Sequence, residues 1–525
     1  MDRVPRSTVV RRMSGADKNG IRIASRIVSW PCIIAEAMDD RERQEIEHIA
    51  KIQMDRLRRF RLFLSARSDR VREETRPMLL KQCEAILAEY ESILRDLANP
   101  SPAHLRYRAA HDRLRSLQGI SGALLASTDW QSPSYRHALV SEAGTQTGKI
   151  SGTVNDYKRD HHMDAGAYED AFVQSYIDRR VPLPIHAYAC TSGMAAFSTI
   201  LTALQMQGIT DGPMLLGRNS YFENKILLLS LYPDRVFEVD EMNANELVEA
   251  VREIQPTVIF LDSLCNSEIL AMPDLPSLIR RIAQTVEHET YLVLDNTGLT
   301  CTYQPLQDMP LVPGPLKLIV FESLNKHHQF GMDRVTGGII WAQSFTGFGL
   351  PKARMHAGTM MPDASSLSLP WPDRNMLSSR LQTLERNALQ AARALDAHIR
   401  AKDATPFSHV VYPGLETHPG NAWNKDRPFH GASLVLALKR NLGKVRIAQA
   451  FIDHAIREAA RVHMDLSAGT SFGLNTTRVY LTALHASGTA KPFLRISMGT
   501  EQKEDADKLV DVFKAAIDRI RGRVI

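Results

Sequence analysis

Residues 291–297 read Tyr-Leu-Val-Leu-Asp-Asn-Thr, and residues 317–326 read Lys-Leu-Ile-Val-Phe-Glu-Ser-Leu-Asn-Lys. Each stretch contains a continuous apolar run, which is typical of a strand buried on both faces of a parallel sheet. Asp295 and Lys326 follow these runs, at the strand ends where open α/β sheets bind ligands. Asp295 could instead cap a helix, and Lys326 could be a solvated loop lysine.

Similar apolar runs alternate with amphipathic stretches on both sides of this pair. The predicted strands are Met214–Leu216, Val258–Leu261, Tyr291–Leu294, Leu318–Phe321 and Gly338–Ala342, and the predicted helices are Ala195–Gln205, Ala244–Ile254 and Leu275–Glu287. This alternation predicts an α/β fold, with a mostly parallel sheet and helices on both of its faces. We place this large domain at residues 157–370.

A proline-rich turn at residues 369–372 ends the alternation. A long helix at about 375–400 is expected next, followed by an α+β segment and a last amphipathic helix, Glu504–Arg519. These elements predict a smaller α+β C-terminal domain at residues 371–525.

The N-terminal part of the chain has a different pattern. Dense charge and helical periodicity over residues 38–118 predict a helical bundle or hairpin, whose third helix spans Ala103–Leu117. Residues 119–156 lose the periodicity and gain Gly, Ser and Thr, which predicts a linker or clamp-like arm. Residues 1–37 begin rich in Arg and poor in acid, which predicts a disordered tail, with an organelle transit peptide as the alternative.

The composition excludes several classes of protein. A chain of 525 residues with 44% hydrophobic residues has room for about three domains and is neither collagen-like nor disordered throughout. No window approaches about 18 continuous apolar residues, so we expect no membrane span. The net charge of +5 is uneven, with 26 basic and 19 acidic residues in the first 150 but 38 and 40 in the rest. This asymmetry predicts a separate N-terminal unit.

The cysteines and histidines bear on compartment and metal binding. The five cysteines are scattered and form no Cys-x-x-Cys pair: Cys32, Cys83, Cys190, Cys265 and Cys301. They predict reduced thiols in the cytoplasm and no zinc site. The pairs His161-His162 and His327-His328 are adjacent residues, which make poor joint ligands, so we expect no metal.

Three further motifs carry polar groups suited to a ligand. Residues 190–196 (Cys-Thr-Ser-Gly-Met-Ala-Ala) enter a helix, whose free N–H groups and dipole suit a phosphate, although many helix starts bind no anion. Tyr221 follows a short strand and could stack on a flat ring or pack in the core. Arg495, within Phe493-Leu-Arg-Ile-Ser497, could clamp a carboxylate or form an edge-strand salt bridge.

Taken together, these groups match one cofactor, pyridoxal 5′-phosphate. It needs a lysine for a Schiff base, an acid opposite its pyridine nitrogen and an anchored phosphate. Lys326, Asp295 and the turn at 190–196 supply all three. An amino-acid substrate would bring the carboxylate for Arg495, so the joint occurrence favours the functional interpretation of each motif.

In this order and at these intervals, the motifs resemble the Cys/Met-metabolism family of pyridoxal-phosphate enzymes, the relatives of cystathionine γ-synthase, cystathionine lyases and methionine γ-lyase. The resemblance runs from about Tyr157 to the C-terminus. It implies the type I aminotransferase-like fold and a homodimer or homotetramer whose subunits share active sites. It also implies an amino-acid substrate.

The resemblance implies a role for each motif residue. Lys326 and Tyr221 would be catalytic, with Lys326 moving protons and Tyr221 stacking on the cofactor. Arg495 would bind the substrate carboxylate. The implied cofactor-binding residues are Ser192, Gly193, Met194, Tyr221, Asn266, Asp295, Ser323 and Lys326, together with Tyr157 and Arg159, which would reach the phosphate in a neighbouring subunit.

The substrate-facing motifs depart from the family pattern. The family's E-x-P-x-N-P is Asp262-Ser-Leu-Cys-Asn-Ser267 here, and Asn325 and His327 replace the usual threonine and aromatic residue on either side of the lysine. Asp160-His-His-Met163 replaces the N-P-T segment after Tyr157-Lys-Arg159. These departures favour an unusual substrate.

The expected reaction is γ-elimination or γ-replacement, through a vinylglycine-type intermediate, on a sulfur-containing or otherwise substituted amino acid in specialised metabolism. A β-eliminating C–S lyase is one alternative. Another is an inactive fold that acts as a scaffold through its basic helical arm. We do not expect nucleic-acid binding, because positive and negative charges alternate along that arm.

Overall fold

A computed structural model describes residues 39–66, 71, 73–98, 103–128, 130, 163–178, 183–344, 349–439, 444–482 and 492–520. The predicted tail at 1–37 lies outside these residues, as does most of the predicted arm at 119–156. Domain boundaries that fall in these gaps stay predictions.

A seven-stranded sheet with the order β1-β7-β6-β5-β4-β2-β3 forms the centre of the fold. Its strands are β1 (Ile185–Cys190), β2 (Met214–Gly217), β3 (Val236–Val239), β4 (Val258–Asp262), β5 (Thr290–Asp295), β6 (Leu316–Ser323) and β7 (Gly338–Gln343). The pairs from β3 through β6 are parallel, whereas β7 runs antiparallel to both β6 and β1. The mostly parallel sheet is therefore confirmed.

Helices cover both faces of this sheet, as the continuous apolar strands predict. They are α4 (Met163–Tyr176), α5 (Gly193–Met206), α6 (Phe222–Leu231), α7 (Ala244–Ile254), α8 (Leu275–Thr285), α9 (Leu350–Ala357) and α10 (Asp363–Ser368). Alternate residues of β5 enter different cores. Leu292 and Leu294 join one hydrophobic cluster, and Tyr291 and Val293 join another with Phe197.

A second sheet follows in the C-terminal part, with the order β10-β11-β12-β9-β8. Its strands are β8 (Phe407–Val411), β9 (Ser433–Leu438), β10 (Ser467–Ala468), β11 (Arg478–Thr482) and β12 (Phe493–Ser497), and its helices are α11 (Arg374–Arg400), α12 (Asn421–Asn424), α13 (Lys444–Arg461) and α14 (Lys503–Arg519). The long helix α11 joins two cores, because Leu377 and Leu384 pack with the first sheet while Ala388 and Ile399 pack with the second.

Three N-terminal helices pack together around Phe60, Tyr90 and Leu114. They are α1 (Asp39–Ser65), α2 (Arg76–Asp96) and α3 (Ala103–Leu125). The prediction that α3 ends at Leu117 is wrong, because the helix continues for two more turns into the segment expected to be an arm. Its glycines suggested a break, but Gly122 serves close packing: a Cβ there would lie 2.6 Å from the Ala364 carbonyl oxygen of α10.

Among the described residues, no helix is both long enough and apolar enough to cross a membrane.

The packing at Gly122 predicts a measurable loss of stability in Gly122→Ala. A methyl group would collide with the α10 backbone, and such overpacking costs about 1–3 kcal/mol. We expect a lower urea midpoint for unfolding, followed by circular dichroism. Gly166→Ala is the matched control, because Gly166 is also helical but has no atom within 4 Å of an added Cβ. That variant should be neutral or more stable by up to about 1 kcal/mol, and equal midpoints for the two variants would contradict the assigned contact.

Candidate active site

A cavity of about 230 Å³ lies where the carboxyl ends of β4, β5 and β6 face the second sheet. Every sequence-predicted site residue among those described contributes to its wall. The predicted residues that line it are Ser192, Gly193, Met194, Tyr221, Asn266, Asp295, Ser323, Lys326 and Arg495. Tyr157 and Arg159 lie outside the described residues.

The first turn of α5 forms one wall of the cavity. Ser192 is the N-cap in extended conformation, and its hydroxyl accepts a 3.0 Å hydrogen bond from the Ala195 amide. The other amides of the first turn have no acceptor within the helix. They lie at the positive end of the helix dipole, which favours an anion. Gly193 lets this turn approach β6, because a Cβ there would lie 2.9 Å from the Ser323 Cβ.

Two carboxylates meet at the ends of neighbouring strands. Asp262 and Asp295 are register partners in β4 and β5. Burial raises the pKa of Asp295 to about 6, against the lowering effect of hydrogen bonds from Thr297. Burial and the charge of Asp295 raise the pKa of Asp262 well above its ordinary value, although its carboxylate accepts the Tyr221 amide at 2.9 Å. In the described part of the chain, Asp295 has no ion-pair partner.

Lys326 reaches the same cavity from the loop after β6. Its Nζ donates a 3.0 Å hydrogen bond to the Ser471 hydroxyl and lies 5.4 Å from the centre of the Phe472 ring. Burial lowers the pKa of Lys326 to about 8, and the positive charge of Arg495 adds to this effect. A substantial fraction of the amine is therefore neutral and nucleophilic near neutral pH.

Arg495 lies on β12, the middle strand of the second sheet, and only 3% of its surface is exposed. Its guanidinium donates to the Asn266 side chain at 2.6 Å and to the Ser471 carbonyl at 3.2 Å. Burial lowers its pKa to about 10. No described carboxylate pairs with it, and its Nε has no hydrogen-bond partner in that part of the chain. The edge-strand salt bridge considered from the sequence is therefore wrong, and the group suits an external carboxylate.

Tyr221 lines the cavity at the start of α6. Its hydroxyl donates a 2.6 Å hydrogen bond to the Glu223 carboxylate. Burial raises the pKa of Tyr221, and the bond to Glu223 adds to the rise. The phenol is thus held as a neutral donor rather than as a phenolate.

The segment Thr470-Ser471-Phe472 is part of the cavity wall that the sequence motifs did not reveal. Ser471 has a left-handed backbone with φ of 82°, which is uncommon for a residue other than glycine. A glycine on each side of the segment, Gly469 and Gly473, was the available signal for a tight loop. The carboxylate of Asp262 was also missed, because its nearness to Asp295 depends on strand register.

A family model described as "Cys/Met metabolism PLP-dependent enzyme" matches residues 131–517. The chain belongs to this family. Membership confirms the predicted family and its cofactor, pyridoxal phosphate, and identifies the chain as an enzyme that depends on it. The match begins earlier than the predicted limit near Tyr157 and leaves helices α1 to α3 outside it.

Two curated proteins are similar to the chain. It is 25% identical to the bifunctional enzyme flvA of Aspergillus flavus over 63% of this chain and 38% of that protein. It is 26% identical to methionine gamma-lyase of Arabidopsis thaliana over 44% of this chain and 49% of that enzyme. The chain therefore spans half or less of the length of these relatives.

Solved structures of the family share the fold. The cystathionine gamma synthase of Xanthomonas oryzae pv. oryzae superposes with a TM-score of 0.55 and 19% identity, over 69% of this chain and 87% of that one. At this identity the likeness shows the fold alone. It confirms the predicted type I aminotransferase-like architecture.

The cavity fits pyridoxal phosphate and an amino acid on its own chemistry. Among the described residues no cation pairs with Asp295, and a protonated pyridine nitrogen would supply one. No carboxylate of that same part of the chain pairs with Arg495, and a substrate carboxylate would supply one. The amides at Ser192–Met194 are suited to a phosphate, and Lys326 is the amine that can bind an aldehyde. In the described part of the chain, no group of three His, Cys, Asp or Glu residues is placed to hold a metal.

The lowered pKa of Lys326 predicts how cofactor capture depends on pH. The neutral amine is the reacting form, so the rate at which the cofactor-free chain gains a visible absorption band from pyridoxal phosphate should rise through about pH 8 and then level. With an ordinary lysine, this rate would continue to rise up to about pH 10.4. Stopped-flow absorbance measures the midpoint. Arg495→Met removes a nearby positive charge and should move the midpoint upward, and a wild-type midpoint near 10 would refute the buried amine.

Proposed function

We propose that the protein is a pyridoxal-phosphate-dependent enzyme that acts on a γ-substituted amino acid, by γ-elimination or γ-replacement. The convergence of Lys326, Asp295 and Arg495 on one cavity carries the proposal. The names of the relatives, methionine gamma-lyase and cystathionine gamma synthase, support the γ-position.

The cofactor would be held at three points. The first-turn amides of α5 with Ser192 and Ser323 would bind the phosphate, Asp295 would bind the ring nitrogen, and Lys326 would bind the aldehyde carbon. Bound there, pyridoxal phosphate supplies an electron sink that makes the Cα proton of an amino acid acidic. Asp295 strengthens that sink, since a carboxylate opposite the ring nitrogen stabilises its protonated form.

The chain's own residues orient the substrate and move its protons. Arg495 would bind the α-carboxylate through the guanidinium N–H groups that the described chain leaves unpaired, Nε among them, while Asn266 and Ser471 hold the guanidinium in place. Lys326 Nζ, once free, removes the Cα proton as general base and can return it elsewhere as general acid. Ser471 accepts a hydrogen bond from that same amine and fixes its position.

Tyr221 stacks on the cofactor ring in this proposal. Because Glu223 accepts the single O–H proton of Tyr221, the phenol is a neutral stacking group whose hydroxyl oxygen can still accept a hydrogen bond. Glu223 is exposed and lies at the same end of α6, so it adds negative charge beside the cavity. This arrangement is consistent with an altered substrate rim and with a substrate outside the standard transsulfuration set.

Product analysis tests the proposed reaction. With cofactor bound, γ-substituted amino acids, including S-adenosylmethionine, should yield 2-oxobutanoate and ammonia when no nucleophile is added. Lys326→Ala should lower turnover by roughly 10²–10⁴-fold, whereas Lys317→Ala, at the far end of β6, should retain it. Pyruvate from β-substituted amino acids, with no reaction of the γ-substituted set, would point instead to a β-eliminating lyase.

A subunit-mixing experiment tests the proposed shared active site. Lys326 and Arg495 are the two cations that line the cavity among the described residues, and neither is hydrogen-bonded to the turn at Ser192–Met194. If Arg159 of a second subunit supplies the missing charge, Lys326→Ala and Arg159→Ala should each be impaired. Refolded together, they should recover about a quarter of wild-type activity, because half of random dimers contain one intact site of two. Activity no higher than that of the separate variants would exclude sharing through Arg159.

A further inference from the structure

The N-terminal helices lie outside the family match, yet they contact one of the two loops that carry the candidate site directly and reach the other through Arg380 of α11. We call residues 326–333 the lysine loop and residues 469–475 the serine loop. Lys326 of the first and Ser471 of the second meet at 3.0 Å. Anything that holds these two loops also holds this hydrogen bond.

The serine loop is held through a buried ion pair. Arg380 of α11 is fully buried, and its Nη2 donates to the Gly473 carbonyl at 3.0 Å and to the Asn475 side chain. Its Nη1 donates to the Glu45 carboxylate of α1 at 2.9 Å. The Glu45 side chain is 3% exposed and also accepts Arg41 at 3.1 Å. Glu45 of the N-terminal helices thus holds Arg380, and Arg380 holds the serine loop.

The lysine loop is held by α3. The His111 Nε2 donates to the Phe330 carbonyl at 3.3 Å, which requires the proton on that nitrogen. Arg115 donates to the Asp333 carbonyl at 3.2 Å. Burial lowers the pKa of His111, so the ring is neutral and the donor is retained at neutral pH.

Both loops have strained backbones at the points where they are held. Phe330, Asp333 and Ser471 have φ values of 50°, 42° and 82°, in the left-handed region that residues other than glycine rarely adopt. Such conformations persist only when the surroundings hold them in place. His111 and Arg115 bind the carbonyls of the first two, and Arg380 binds the carbonyl two residues after the third.

We propose that Glu45, acting through Arg380, is a positioning residue that sets the serine loop and so places Ser471 against Lys326, and that the N-terminal helices are a built-in brace for the site. The catalytic consequence rests on the proposed function. The effect on the loop itself does not, because it is a property of the chain without cofactor.

Amide hydrogen exchange on the full-length, cofactor-free chain tests the brace directly. Glu45→Ala should raise exchange by roughly ten- to hundredfold at the hydrogen-bonded amides in and beside the serine loop, which are those of Gly469, Thr477 and Thr500, the last of which donates to the Asn475 carbonyl. This is the factor expected for losing a charge-assisted hydrogen bond, and β4 and β5 should keep their protection. Glu45→Gln can still accept from Arg380 through its amide oxygen but loses the negative charge, so its exchange should lie between that of wild type and that of Glu45→Ala. Glu47→Ala is the matched control, since Glu47 is on the same helix but pairs with Arg43 and Lys51.

Steady-state kinetics on the cofactor-bound enzyme give the second readout. Because Arg495 keeps its bond to Asn266 while its bond to the Ser471 carbonyl loosens, Glu45→Ala should lower kcat by roughly tenfold and raise KM by a smaller factor. Arg115→Ala removes the hold on the lysine loop without leaving a buried charge, and serves if Glu45→Ala fails to fold. It should raise exchange at residues 327–334 selectively.

Two outcomes overturn the brace. One is unchanged loop exchange in a folded Glu45→Ala or Arg115→Ala. The other is exchange that rises evenly over the whole chain. An inactive wild type would refute the proposed function, while the exchange result would still decide the inference.

Discussion

The parallel register of β5 and β6 is the constraint on which the candidate site depends. It pairs Asp295 with Phe321, so that the acid and the segment leading to Lys326 leave the sheet at the same edge. Parallel pairing of β4 adds Asp262 beside Asp295. A slip of one residue would turn every side chain of a strand to the other face and separate these groups. The two hydrophobic cores that flank the sheet stabilise this register, because alternate residues of the same strands pack into different cores.

Charge at this edge is concentrated and poorly compensated within the described chain. The pKa values of Asp295 and Asp262 are raised, and those of Lys326 and Arg495 are lowered, so burial moves all four toward their neutral forms. Burying charged groups costs free energy unless partners of opposite charge are present. A zwitterionic substrate and a cofactor with a cationic ring and an anionic phosphate supply those partners. The same burial that weakens the empty site therefore strengthens electrostatic interactions within the filled one.

The sequence predicted the parts of the site that depend on local pattern. Asp295, Lys326 and Ser192 each sit beside an apolar strand, and strand periodicity is readable from a few residues. Arg495 was also found, because its alternating neighbours place it on an inward face. The Ser471 contact could not be predicted, since it joins residues 145 apart and needs a left-handed backbone. The predicted end of α3 was wrong because a glycine such as Gly122 usually indicates a helix break. In the structure, Gly122 instead allows close packing against α10.

The ion pair between Glu45 and Arg380 links the N-terminal helices to the body of the enzyme. These residues are 335 positions apart, and no local sequence pattern predicts their contact. Many charges on the N-terminal helices pair with one another, as Arg113 does with both Glu89 and Asp96. This pairing argues against a free nucleic-acid surface on these helices. The buried Glu45 of these helices pairs instead with Arg380, in the body of the enzyme. Breaking a buried ion pair leaves an uncompensated charge and costs about 3–5 kcal/mol, far more than an exposed pair contributes. The N-terminal helices, which lie outside the family match, are thus joined through Glu45, Arg380 and His111 to the loops that carry Ser471 and Lys326.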